Sequence, residues 1–306
     1  MSKVSVRVKI FLNNLMFKTV FLLAVLCVFT AAFTSLSYGF NKSKLINPKN
    51  TYVLAIGSCP PWQSLRTVCK NDVDLFVSTA VQTMGIPIEN VKEIVDAEAT
   101  YKGVVKGFEW LKESASENSA VIVYYNGHGM LLDGIDGKNK EEVFVLWSQD
   151  FPFAGLYAVM VKIWMTDKEL ASYLNNIPGR AKLFVADTCH ARGAEEYLKY
   201  KGKHVDYGLE DTALIAAAEA RQLAFATGDY GLFTLRLSDA MRDSPDLKEA
   251  FYKARGKTMA ESMGICKELK DKKLKDQCKE QGPTIDDPLG IVKLFKLNTK
   301  KEPTRN

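Results

Sequence analysis

The chain has 306 residues, 47% of them hydrophobic and 25% charged, a balance that excludes global disorder and leaves room for one large α/β domain with a tail or for two small domains. The net charge of +5 is concentrated at the start, where Lys3, Arg7, Lys9 and Lys18 fall in the first 39 residues with no acid among them. Removing those four charges leaves about +1 for the remainder, so nothing in the charge balance points to a nucleic-acid partner.

Residues 1–39 read as an export leader, a basic start running into an apolar stretch from Thr19 to Phe33 and then into the small residues Ser37 and Gly39. The uncharged stretch 19–41 also reaches the ~20 residues needed to span a bilayer. A cleaved signal peptide and an uncleaved signal anchor both fit. In either case the basic end stays cytosolic, and the rest of the chain is secreted, periplasmic or membrane-anchored outside the cytosol.

From Asn50 the pattern alternates. Thr51 to Gly57 is a β-branched apolar run closed by glycine and predicts a buried strand. Val68 to Met84 has helical spacing and stops at Gly85-Ile86-Pro87. A short strand over 91–95 precedes a helix over 100–116 with Thr100 as its N-cap. Ala120 to Tyr125 predicts a second buried strand, ending in Gly127-His128-Gly129. After a polar loop, 133–140, Val143 to Trp147 reads as a short strand and 151–164 as an insertion over one edge. Asp167 is expected to cap a helix through Leu174, and Ala181 to Asp187 forms the next strand, ending in Thr188-Cys189-His190. Residues 192–211 read as a charged loop, 212–218 as a strand, 231–241 as a helix, 246–281 as a lysine-rich helical appendage, 290–297 as a last strand and 298–306 as a polar tail. Such alternation predicts a mostly parallel sheet with helices on both faces.

Active groups on such sheets gather beyond the carboxyl ends of the strands, where both His128 and Cys189 stand. A cysteine thiol is mostly protonated at neutral pH and needs a base beside it to become a nucleophile, and histidine is suited to taking that proton and returning it to a leaving amine. The Gly129 and Cys189 amides are candidates for holding an oxyanion. Setting aside Cys189 and Cys27 leaves four cysteines in two close pairs, Cys59/Cys69 and Cys266/Cys278, which an oxidising compartment would join. For the second pair there is a condition: along one straight helix the sulfurs would stand ~18 Å apart, so a bond requires a turn between them.

The motifs Tyr125-Asn126-Gly127-His128-Gly129 and Asp187-Thr188-Cys189-His190-Ala191-Arg192-Gly193 resemble those of the caspase-like cysteine peptidases, closest to the metacaspase and bacterial caspase-homologue branch, which carry Y-S-G-H-G and D-[ST]-C-H-S-G. The resemblance covers roughly residues 50–297. It implies a three-layer sandwich around a mostly parallel six-stranded sheet, and a cysteine endopeptidase acting on polypeptides through a His128–Cys189 dyad with no required cofactor. It further implies cleavage after Arg or Lys, with Asp72, Asn126 and Asp187 in the primary specificity pocket. Asn126 replaces the family's usual serine. Some members require calcium, for which Asp150, Asp167 and the acids of 133–142 are the candidate ligands, although no EF-hand spacing is present. Lys199, Lys201 and Lys203 stand where relatives are processed and suit self-cleavage after lysine. A non-catalytic binding module of the same fold, or a legumain- or gingipain-like enzyme of different selectivity, are the competing readings. Oligomeric state is not specified by the sequence.

Overall fold

The computed structural model describes residues 45–61, 67–133, 140–149, 162–189, 211–219 and 222–298. The leader of residues 1–39, Asp150 and the lysines at 199, 201 and 203 lie outside the described residues. Among those described, no helix is long and apolar enough to cross a membrane.

A six-stranded sheet forms the centre. In chain order its strands are β1 (Thr51–Ser58), β2 (Val91–Val95), β3 (Ala120–Gly127), β7 (Ala181–Asp187), β8 (Thr212–Ala216) and β11 (Thr284–Asp286). They lie in the order β11-β8-β7-β3-β1-β2, all parallel except β11, which pairs antiparallel with β8. β4 (Gly129–Asp133), β5 (Lys140–Val145) and β6 (Trp164–Thr166) form a separate antiparallel three-stranded sheet, and β9 (Ala226–Thr227) and β10 (Tyr230–Gly231) a short ribbon. The helices are α1 (Val68–Met84), α2 (Tyr101–Ser114), α3 (Asp167–Asn175), α4 (Leu232–Arg242), α5 (Leu247–Glu268) and α6 (Lys272–Gln277).

Strands covered on both faces must be apolar on both, and β3 and β7 are buried along nearly their whole length. One face takes Leu54, Ile56, Val123, Tyr125 and Phe184 into a core shared with α2 and α3. The other presents Tyr124 to α1, where its ring stacks on Phe76 at 4.3 Å between centroids. Gly57 packs so closely on α1 that an added methyl would lie 2.7 Å from the Cys69 carbonyl oxygen.

Among the described residues most boundaries follow the sequence pattern, the expected insertion over 151–164 and loop over 192–211 lying almost wholly outside them. β6 and the β9–β10 ribbon are short elements beyond the expected ones; other differences have a visible cause. Thr166, not Asp167, caps α3, its hydroxyl accepting from Glu169 N at 3.2 Å, while Asp167 is the first helical residue. The expected strand over 290–297 is a 3₁₀ turn (Val292–Leu294) with one isolated bridge from Asp246 to Lys296, and the sixth strand is β11. Asp287 accounts for this, since its carboxylate accepts from Ile291 N and Val292 N and pulls the backbone into a turn. The segment after His128 also folds back as a hairpin (β4 and β5) that periodicity did not separate from the loop.

Candidate active site

The β3–β7 register places Asn126 directly beside Asp187. Tyr125 and Ala186 point into the core shared with α2 and α3, so strand alternation turns Asn126 and Asp187 to the opposite face, beneath α1 and α4. Asp72 reaches the same place from the second turn of α1. The three side chains close around Gly231, where an added methyl would lie 2.6 Å from Asp72 Oδ2, 2.9 Å from Asp187 Oδ2 and 3.5 Å from Asn126 Nδ2. Only glycine leaves both carboxylates room at this point.

Asp72, Asp187 and Asn126 are all buried. Gly231 N donates to both oxygens of Asp72, at 3.0 and 2.9 Å, and Asn126 Nδ2 donates to Oδ2 at 2.8 Å. Asp187 Oδ2 accepts from Thr234 N at 3.0 Å and from Thr234 Oγ1 at 2.6 Å, and the Tyr124 hydroxyl lies 2.7 Å from Thr234 Oγ1. Neither carboxylate has a lysine or arginine partner among the described residues. Burial, then the neighbouring charge of Asp187, raises the Asp72 carboxyl well above the ordinary carboxylate range. Burial also raises Asp187, with the two Thr234 hydrogen bonds opposing it.

His128 is the single residue between β3 and β4, and Cys189 follows the end of β7 by two residues. Their backbones meet. A methyl on Gly129 would run into the Cys189 carbonyl oxygen and lie 2.6 Å from Thr188 Oγ1, so the two tips approach this closely only because the residue after His128 is glycine. His128, Cys189, Asn126, Asp187 and Gly231 line one pocket of about 70 Å³, walled on one side by Cys59 and Cys69 and on another by the Ala224–Ala226 backbone. Asp72 stands one layer back, behind Asn126 and Gly231, rather than in the lining. A larger groove of about 440 Å³ near Lys92, Glu98 and Lys106 holds neither histidine nor cysteine.

Burial lowers the His128 pKa and raises that of Cys189, so desolvation favours the neutral form of both. For the thiol, the nearby Asp187 charge acts in the same direction as burial, while the Ala224 amide, 3.4 Å from Sγ, opposes it. A neutral imidazole is the form able to accept a proton.

Two disulfides join Cys59 to Cys69, Cα atoms 5.7 Å apart, and Cys266 to Cys278, Cα atoms 5.5 Å apart. The first ties the end of β1 to the first turn of α1. The second is met because the chain leaves α5 at Leu269 and turns before α6. Cys189 is the free thiol among the described residues. No group of three His, Cys, Asp or Glu side chains among those residues could hold a metal ion, and Asp167 Oδ1 accepts from Lys168 N.

Four contributors were given no site role by sequence reasoning, although Gly231 and Thr234 lie in a segment that matches the family and Tyr124 stands directly before the histidine motif: Gly231, Thr234, Tyr124 and the Ala224 backbone. Gly231 opening a helix and Tyr124 on the α1-facing register were the available signals. Ala224 acts through its amide, which no residue type reveals.

Comparison with known proteins gives a single family. The model of the caspase domain matches residues 52–288. The fold resembles the crystal structure of a Geobacter sulfurreducens protein, with a TM-score of 0.52 and 18% identity over 81% of this chain and 99% of that one. It likewise resembles caspase-1 from Spodoptera frugiperda, with a TM-score of 0.52 and 13% identity over 85% of this chain and 94% of that one. No curated protein matches the chain.

Proposed function

Because the chain belongs to the caspase-domain family, we propose that it is a cysteine endopeptidase that uses Cys189 and His128 and cuts polypeptides after Arg or Lys. The observation that carries this reading is one pocket holding a thiol, an imidazole and the Asp187 carboxylate, with Asp72 behind it and no cation beside either acid among the described residues. A guanidinium or ammonium supplies the missing positive charge and is desolvated against two carboxylates, which is the strong form of such pairing. An Asp side chain in the same place would add negative charge beside two acids whose ionisation burial already opposes.

In the proposed sequence the Cys189 sulfur attacks the scissile carbonyl carbon as its proton passes to His128, forming the C–S bond and placing charge on the carbonyl oxygen. The Gly129 and Cys189 amides take the oxyanion role. Collapse breaks the C–N bond, His128 gives its proton to the departing amine, and a thioester remains. Water then attacks the thioester with His128 as base, releasing the acid and restoring the thiol. Both groups start neutral, so the proton moves during attack and not beforehand. Activity therefore rests on neutral His128, and its acid limb falls below the ordinary histidine range. The steps use Cys189, His128, two backbone amides and water, in a domain that residues 1–39 would export or anchor.

The test uses fluorogenic peptides differing only in the residue before the cut. Turnover is expected with Arg and Lys, not with Asp or Asn, and loss of at least a thousandfold in Cys189→Ala. Equal turnover by both proteins rejects the mechanism, and preference for Asn rejects the pocket assignment.

A further inference from the structure

The Ala224 amide that faces Cys189 belongs to a segment held on one side by the β9–β10 ribbon and by Leu232 N, which donates to the Phe225 carbonyl at 2.8 Å, and on the other by groups from the far end of the domain. Gln281, completely buried, spans the gap. Its Oε1 accepts from Phe225 N at 2.9 Å, and its Nε2 donates to the Ala217 carbonyl, just beyond β8, at 3.0 Å. Its own amide donates to Ser262 Oγ on α5 at 2.8 Å. Next to it, Gly282 N donates to Gln222 Oε1 at 2.7 Å, and Arg255 Nε on α5 donates to the Pro283 carbonyl at 3.0 Å. The Cys266–Cys278 bond closes the chain three residues before Gln281. One side chain thus connects β8, the appendage and the peptide next to the Ala224 N–H···Sγ contact of 3.4 Å.

We propose that Gln281 is a positioning residue, holding the 224–226 backbone so that the Ala224 amide stays directed at the Cys189 sulfur. The proposal rests on the reading of Cys189 as the reactive group, but its consequence appears in the thiol itself. A hydrogen bond from an amide favours thiolate over thiol, and Ala224 supplies one against the opposing effects of burial and Asp187. Gln281 touches neither substrate nor sulfur. It acts through Phe225 N, so removing its amide loosens the Ala224 wall of the pocket while His128, Cys189, Asn126 and Asp187 stay in place.

The experiment is the pH profile of Cys189 alkylation by iodoacetamide in the full-length, non-reduced protein, read by mass spectrometry on the Cys189 peptide. Gln281→Met keeps the side-chain volume and removes both side-chain hydrogen bonds. Its alkylation midpoint is expected to rise by about one pH unit, a tenfold drop in thiolate below the midpoint. Gln222→Ala loosens the same segment at its other end, is half-buried, and is expected to move the midpoint in the same direction by less, which keeps the proposal testable should Gln281→Met fail to fold. Phe251→Leu, a core change in α5, is expected to lower the unfolding temperature and leave the midpoint in place. Unchanged midpoints in both glutamine variants overturn the proposal, as does an equal rise in Phe251→Leu. Alkylation needs no peptide turnover, so an inactive wild type would reject the proposed function and leave this readout intact.

Discussion

Asp72 is fully buried, bonded to Gly231 and Asn126, and shares its surroundings with the Asp187 carboxylate. Its raised pKa has a definite sign in stability. A carboxyl whose folded pKa lies above its unfolded value of ~3.9 adds stability below that value and loses it as pH rises toward the folded value. The charged pair therefore weakens the fold most above neutrality, where the proposed cation pocket needs it. Asp72→Asn keeps an acceptor for Gly231 N, and Asn126 can turn its amide over to meet the new donor. The variant is expected to melt higher than wild type at pH 8, by roughly 1–3 kcal/mol, with the gap closing toward pH 4. KM for Arg and Lys peptides is expected to rise at least tenfold. Melts at pH 4, 6 and 8 check the first part; a variant less stable than wild type at pH 8 contradicts it.

Between elements, the close approach is that of the His128–Gly129 segment and the end of β7. It was legible in part: two apolar runs ending in His128 and Cys189 implied neighbouring strand ends, while Asn126 and Asp187 were assigned to the pocket only through the family resemblance, and the β3–β7 register sets them side by side. What the pattern could not supply was the α1-to-pocket geometry: Asp72 entered the pocket only through the family resemblance, and it is the Cys59–Cys69 link and the Gly57 contact that fix α1 over it. The β4–β5 hairpin and β11 also escaped, being short elements whose pairing is decided by tertiary partners and not by periodicity. Gly129 tests the approach itself. In Gly129→Ala the new methyl displaces the Thr188–Cys189 backbone, so kcat is expected to fall by roughly a hundredfold, a 1 Å misplacement being enough. Near-unchanged KM for an Arg peptide is expected alongside, since Asp72 and Asp187 are not moved. A variant with wild-type kcat would show that the tips are not held as described.

Across the whole molecule, the pocket is assembled from both ends of the domain, and a disulfide stands behind each contribution. Cys59–Cys69 fixes the start of α1, and through it Asp72; Cys266–Cys278 fixes the appendage that ends in Gln281. The two bonds close loops of similar span, with sequence separations of 10 and 12, so chain entropy assigns each a similar stabilisation of about 3 kcal/mol. For a domain of this size that corresponds to a fall of roughly 5–10 °C in unfolding temperature when either is removed. Function should separate what stability does not. Cys59→Ser/Cys69→Ser frees the helix carrying a pocket acid and is expected to raise KM for Arg and Lys peptides. Cys266→Ser/Cys278→Ser leaves that helix tied and is expected to raise the alkylation midpoint of Cys189 through the looser Gln281 segment. Thermal melts, peptide kinetics and the alkylation profile on the two double variants check the division, and identical functional changes in both would show that the disulfides act only on global stability.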